Sequence, residues 1–415
     1  METIFERVGA LDVHKAQVTA CVRVPGPEGR EPVLAQFATT VRGLLALRDW
    51  LAAHRVTHVA MEATGVYWQP VWHILEEDFE LTLCNARHVK QVPGRKTDVS
   101  DAQWLAQLME AGLLRGSFVP PKPQRQLRAL TRYRKTQIAE RQREANRLHK
   151  ALEDTNVKLD CVASDILGVS GRAMIDALVA GTTDPEILAE LAKGRLRQKL
   201  PALREALEGR FEAHHAILIG AILAHLDFLD EQIDRLSDAV QEHLQLDPQK
   251  AAGALLAATI TGVAARTAEV LVAEIGTDMS HFPSARHLAS WAGQCPGNDQ
   301  SAGKRRSGRT RKGPKWLGIA LQEGALAATR AKGSYLWALY KRLRPRLGHG
   351  RALGAVKHSM ITAYWHMFTT GEIYADPGGD YFDRRDPERL TRRLIARLGD
   401  LGHTVTLNTP NATAP

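Results

Sequence analysis

VGALDVHKAQVTACVRV, residues 8–24, reads as two successive extended segments rich in β-branched residues. Pro25-Gly26-Pro27 and Gly29 mark a turn after them. Working outward, Leu44 to Ala53 has helical spacing, and HVAME (His58 to Glu62) is a short apolar strand that ends in an acid. Val66 to Glu77 is aromatic and helical, and Leu81 to Cys84 is another short strand. Asp98 to Ala111 reads as a helix with Leu105, Leu108 and Met109 on one face. Strands first, then alternating helix and strand, predict an α/β domain over residues 1–118.

Beyond it, Val119-Pro120-Pro121-Lys122-Pro123 is a stiff linker. Residues 119–250 are predicted to hold a long basic helix and then a coiled coil. Ile219, Ile222, Leu226, Leu229, Ile233, Leu236 and Val240 alternate spacings of three and four, an a/d seam. Leu196, Leu200, Leu203 and Leu207 repeat the rhythm upstream, with Pro201 tolerable only near a helix start. The seam itself does not say whether it pairs within the chain or between subunits. Residues 251–375 read as a mostly helical domain. Residues 376–415 read as a polar tail with a short basic helix at Arg389 to Leu398 and a disordered end, TLNTPNATAP.

The chain has 415 residues, 44 % hydrophobic and 24 % charged, a globular composition. Its four cysteines stand singly, which argues against a zinc ribbon or a disulfide framework and for reduced thiols in the cytoplasm. The first residues carry acids and no apolar run, and the longest apolar stretch, Ala251 to Ala265, is too short to span a bilayer. No membrane partner is expected. The net charge of +9 is concentrated: Arg115 to Lys150 holds 11 basic and 2 acidic residues, and Ser301 to Arg351 holds 14 basic and 1 acidic. Two Arg-rich blocks on an otherwise acidic chain point to nucleic acid, because the guanidinium fork matches phosphate. In the first block Arg125, Arg128, Arg132 and Lys135 share one helix face. In the second, Lys304, Arg305, Arg306, Arg309, Arg311 and Lys312 cluster, with Trp291, Trp316, Tyr335, Trp337, Tyr340 and Trp365 around them.

Four carboxylates carry the chemistry. Asp12 follows the first strand, Glu62 ends another, and Asp98 and Asp101 open a helix at i, i+3 spacing. Two carboxylates about 4 Å apart repel by roughly 4 kcal/mol at an effective dielectric near 20, so such a cluster persists only with protonation or a bound cation. Hard oxygen ligands suit Mg²⁺ (or Mn²⁺), and paired ions clamp a phosphodiester in displacement. Arg95 and Lys96 precede the pair, placed to touch a phosphate or to balance the acids.

DVHK, MEATGVYW and KTDVSDAQWLA together resemble the RuvC-like (RNase H-like) DEDD domain of bacterial insertion-sequence transposases of family one-ten. The resemblance implies that Asp12, Glu62, Asp98 and Asp101 are the DEDD set. Residues 255–340 resemble the second domain of that family, in which a serine in an S-x-G-K context links covalently to DNA. Carried over, that residue is Ser301, with Ser307 as the alternative; Ala302 stands where the family often has Gly. The family further implies donor and target DNA, a guide or bridge RNA, and action at the nucleoid. A dimer or tetramer is expected.

The expected activity is therefore RNA-guided DNA transposition and recombination through a phosphoserine intermediate. A structure-selective, Mg²⁺-dependent endonuclease of junction-resolvase type would use the four acids and water instead. A non-catalytic nucleic-acid scaffold would use neither.

Overall fold

The computed structural model describes residues 3–26, 29–63, 65–92, 100–297, 299–308 and 310–407. The chain divides into two compact units, Met1–Pro120 and Pro121–Pro415.

In the first unit β1 (Val8–Val13), β2 (Gln17–Gly26) and β3 (Gly29–Ala38) form an antiparallel meander. Two further strands, β4 (His58–Glu62) and β5 (Glu80–Cys84), run parallel to β1, giving the order β3-β2-β1-β4-β5. The strand β3 escaped the sequence reading. It is an edge strand with Pro32 and alternating exposure, and an edge tolerates proline because one of its sides needs no donor. Strand alternation sends Leu11, Val13, Val59 and Met61 to one face, where α1 (Val41–Ala53) and α2 (Trp68–Leu75) cover them with Leu44, Leu47, Leu51, Val71 and Leu75. Thr40 caps α1 by accepting the Gly43 N–H at 3.3 Å. The opposite face carries Val8, Ala10, Ala60 and Cys84. After the short α3 (Ala86–Gln91), α4 (Asp101–Glu110) covers that face with Ala102, Leu105, Ala106 and Met109. A mixed α/β unit was expected, and it is found.

Among its described residues, the second unit is helical apart from one small hairpin. Two 33-residue helices, α5 (Lys122–Asp154) and α10 (Ala213–Gln245), pack side by side. They run antiparallel: His243 Nε2 lies 2.7 Å from the Pro123 carbonyl at one end, and His215 Nε2 lies 3.3 Å from Asp154 Oδ2 at the other. Arg141 forks onto Asp230 between them. The heptad positions Ile219, Ile222, Leu226, Leu229, Ile233 and Val240 are buried. The long seam predicted for α10 is thus met by a partner in the same chain. The far end holds its own core, built with α6 (Leu159–Val162), α7 (Val169–Val179), α8 (Pro185–Glu190) and α9 (Leu200–Leu207). Pro201 sits in the first turn of α9, and Leu196 lies in a 3₁₀ turn (Gly194–Lys199) that precedes the α9 leucines.

At the near end α11 (Pro248–Ala258), α12 (Ala265–Ile275) and α13 (Ala285–Trp291) lead into β6 (Asp299–Ser301) and β7 (Lys304–Ser307). Then come α14 (Lys315–Ala328), α15 (Tyr335–Leu347) and α16 (His349–Thr370), which close a core around Leu271, Leu288, Leu321, Met360 and Tyr364. Gly262, at φ +87° between α11 and α12, is pressed so close that an added Cβ would lie 2.4 Å from the Gly324 carbonyl oxygen. Two exposed helices follow, α17 (Tyr381–Arg385) and α18 (Pro387–Asp400). Most of the expected disordered end lies outside the described residues. No described helix is long and apolar enough to cross a membrane.

Candidate functional site

Asp12 stands one residue beyond the Leu11–Met61 pair of the parallel β1–β4 ladder, and Glu62 takes the matching place on β4. Both therefore lie at the C-terminal ends of adjacent parallel strands. Alternation puts them on the face of Ala10 and Ala60, the face covered by α4.

The direction of α4 is fixed at its far end. Glu110, its last residue, accepts from Arg23 Nε at 2.5 Å and Arg30 Nε at 3.1 Å. Its carbonyl accepts the Ile4 and Phe5 N–H groups at 2.9 and 3.2 Å. Burial alone would raise the Glu110 carboxyl, but hydrogen bonds and charge from Arg23 and Arg30 outweigh it and hold it below its ordinary range. Arg23 pairs with Val8 at the start of β1. The helix thus runs antiparallel to β1, and its N-terminus arrives at the strand ends that carry Asp12 and Glu62. Asp101 opens that N-terminus. Ser100 caps it in a reciprocal box, accepting the Gln103 N–H at 3.3 Å while its own N–H donates to Gln103 Oε1 at 3.1 Å.

Three of the four predicted acids are thereby directed to one end of one face of the sheet. The fourth, Asp98, lies outside the described residues, as do Arg95 and Lys96. His14 places Nε2 3.2 Å from Asp12 Oδ2. Glu62 faces Cys84 across the β4–β5 ladder. Burial first, and then the Glu62 charge, push the Cys84 thiol up to about 12, and burial pushes Cys21 up to about 11. Neither thiol is a nucleophile at neutral pH.

Among the described residues, the one group of three possible ligands with donor atoms within 4.8 Å of one another lies elsewhere: Asp154, His214 and His215. There His215 Nδ1 accepts the Glu212 N–H at 3.1 Å, which leaves the proton on Nε2, facing Asp154. That tautomer makes a helix-end bond rather than a metal ligand.

Ser301 is the last residue of β6 and is exposed. It pairs with Lys304, the first residue of β7, across a two-residue turn. Both turn residues have positive φ, Ala302 at 48° and Gly303 at 76°, as a type I′ hairpin demands. The segment from Ser301 to Lys304 is therefore a hairpin tip. Lys304, Arg311 and Lys312 are exposed. Arg309 and the side chains of Arg305, Arg306 and Ser307 lie outside the described residues.

The first basic stripe is different from what its spacing predicts. Arg128 donates to the Ala273 carbonyl at 2.9 Å and to that of Glu274, and Arg132 forks onto the Glu274 carboxylate at 2.7 and 2.8 Å. Lys135 pairs with Glu323. Burial lowers the Arg128 guanidinium to about 10 against the opposing charge of Glu274. Arg128 and Arg132 thus join α5 to α12 instead of facing solvent, and Arg125 is half-buried. Spacing placed these cations on one face correctly, but the partner of that face is a distant acid. Of the aromatic residues singled out, Trp291, Tyr335 and Trp365 pack on the core, Tyr340 belongs to it, and Trp316 and Trp337 each lie under a lysine.

Residues 9–157 match the IS110 transposase DEDD domain family, and residues 254–341 match the Transposase IS116/IS110/IS902 family. None of the curated proteins searched matches the chain.

Proposed function

Because the chain belongs to the IS110 family of transposases, we propose that it breaks and rejoins DNA strands through a covalent link at Ser301, assisted by Asp12, Glu62, Asp98 and Asp101. The observation that carries the reading is the hairpin tip: an exposed hydroxyl at the end of β6, directly opposite a lysine, within a segment that matches a transposase family.

Residues directly opposite on an antiparallel pair have Cβ atoms about 5 Å apart, so the Lys304 ammonium is in range of charge developing near Ser301. The Ser301 oxygen attacks phosphorus and its proton passes to solvent. The bond from phosphorus to the 3′-oxygen breaks, and that oxygen takes up a proton. In the second step a 3′-hydroxyl from the other DNA attacks the phosphoserine and restores the serine. One phosphoester is exchanged for another at each step, so no water is consumed. Lys304 is assigned the stabilisation of the added negative charge at phosphorus, aided by Arg305 and Arg306. Arg309, Arg311, Lys312, Arg95 and Lys96 are assigned phosphate contacts.

The donor chemistry at the strand ends fits a hard divalent cation, Mg²⁺ or Mn²⁺: all the predicted ligands are carboxylates, and three of them, Asp12, Glu62 and Asp101, are directed to one end of one sheet face. Such an ion, when bound, would polarise a phosphoryl oxygen and offset its charge. Asp12 and Glu62 would hold it from the strands and Asp101 from the start of α4. The assignment of a guide RNA rests on the family resemblance, and a second copy of the chain is expected because exchange handles two duplexes.

The test is the adduct. Incubated with its DNA in Mg²⁺, the protein is expected to yield a protease-sensitive protein–DNA band that Ser301→Ala abolishes while nucleic-acid binding persists. Asp12→Asn and Asp101→Asn are each expected to lower cleavage by at least about a hundredfold, the scale for loss of a charge-stabilising group at a reacting centre. An adduct that survives in Ser301→Ala refutes the nucleophile. Cleavage without any adduct makes water the attacking group and leaves the resolvase-like endonuclease reading in its place.

A further inference from the structure

A cavity of about 110 Å³ opens among α5, α12 and α14, lined by Thr131, Arg134, Arg266, Thr267, Trp316 and Ile319 among others. Its charge and its buried groups are unusual. Arg132, Lys135 and Glu323 also line it, and the two cations are held by Glu274 and Glu323. Arg266 is exposed and makes no ion pair among the described residues. Arg134 is the decisive residue. Its side chain is only 3 % exposed, and Nη2 is bound to Glu269, but Nη1 is buried with no hydrogen-bond partner among the described residues. Leaving a buried guanidinium N–H unmatched is costly, so a small turn of Arg134 toward the cavity it lines, giving that N–H to an acceptor from outside the chain, would be favoured.

Two other features select the ligand. Arg266 and Thr267 lie in the first turn of the 11-residue α12, whose N-cap, Ala264, offers no side-chain cap, so peptide N–H groups and the helix dipole favour an anion at the mouth. The remaining wall is apolar and aromatic: Ile138, Val270, Ile319 and Ala320, with the half-buried indole of Trp316. The volume is of the order that accommodates one flat six-membered ring. A flat ring with acceptors on its edge and a phosphate attached is a nucleotide.

We propose that this cavity receives a single unstacked nucleotide, its base against Trp316 with an edge acceptor toward Arg134, and its phosphate at Arg266 and the start of α12. The proposal rests on the reading that the chain handles nucleic acid, but not on Ser301 or the acids. The strand that supplies the nucleotide is DNA or RNA; the chemistry is shared.

The test uses the full-length protein with single-stranded oligonucleotides that carry one 5-iodouracil, in a DNA arm and an RNA arm. Ultraviolet crosslinking and peptide mapping are expected to place the adduct on Trp316 in at least one arm, which identifies the source. Trp316→Ala is expected to weaken single-strand binding about ten- to a hundredfold, the scale of one base–aromatic stack, and Trp316→Phe much less. A fully paired duplex of the same length should change by less than about twofold, since its bases are stacked away. Arg266→Ala, an exposed change that leaves the core intact, should lower the slope of log affinity against log salt by about one. Crosslinks mapping outside the cavity in both arms, or equal single-strand binding by wild type, Trp316→Ala and Arg266→Ala, overturn the proposal. Loss of the serine adduct with the Trp316 crosslink retained would instead count against the strand-exchange reading alone.

Discussion

Glu110→Gln is the sharpest probe of how the acids are positioned. The substitution keeps size and shape but removes the charge on which two arginines converge at 2.5 and 3.1 Å. Removing one member of a buried ion pair costs about 3–5 kcal/mol. Arg23 and Arg30 keep 14 % and 20 % of their side-chain surface, and the amide still accepts one hydrogen bond, so about 2–4 kcal/mol is the expected loss. For a unit of about a hundred residues each kcal/mol moves Tm by roughly 4–8 °C, so the transition of this unit should fall by at least about 8 °C in calorimetry. The effect has a definite pH dependence. The folded carboxyl is held below its ordinary value, so its contribution is present above the unfolded pKa, near 4.5, and is lost as pH falls through the folded one. Wild type should therefore converge on the variant in acid and separate from it toward neutrality. Cleavage should fall too, because the anchor that directs Asp101 to the strand ends is slackened. A variant melting within about 2 °C of wild type at pH 7 would refute the reasoning.

Arg128→Ala is expected to destabilise the second unit, measured by urea unfolding, while leaving the salt slope of nucleic-acid binding unchanged; Lys312→Ala should do the reverse, reducing that slope by about one. Ala302→Gly relieves a non-glycine residue at φ 48°, worth about 1 kcal/mol, and should slow hydrogen exchange at the β6–β7 amides without altering the rest of the unit. Faster exchange there would mean that the turn is not strained.

The places of Asp12 and Glu62 at the ends of apolar strands were legible because that pattern is local. What brings Asp101 to them was not, since it depends on Arg23 and Arg30 meeting Glu110 across 87 and 80 residues of sequence. The same gap explains the basic stripe. Spacing puts Arg128 and Arg132 on one face whether that face meets phosphate or Glu274, and only the fold decides. The seam of α10 was readable from its periodicity. Its partner was not, because the buried face of α5 includes Gln124, Thr131 and Arg134 among its apolar residues. The strand β3 was missed because Glu31 and Pro32 interrupt any hydrophobic alternation in an edge that faces water.

The antiparallel pairing of α5 and α10 has a topological consequence. The polypeptide departs at Pro123, travels about 50 Å along 33 residues, folds a separate small body, and comes back to the same spot at His243. Such an excursion can lengthen, shorten by whole turns or exchange its distal body without displacing the segments that follow. Neither family match covers residues 158 to 253, and within that stretch the distal helices α6 to α9 are the part with such freedom, since α10 is held along α5.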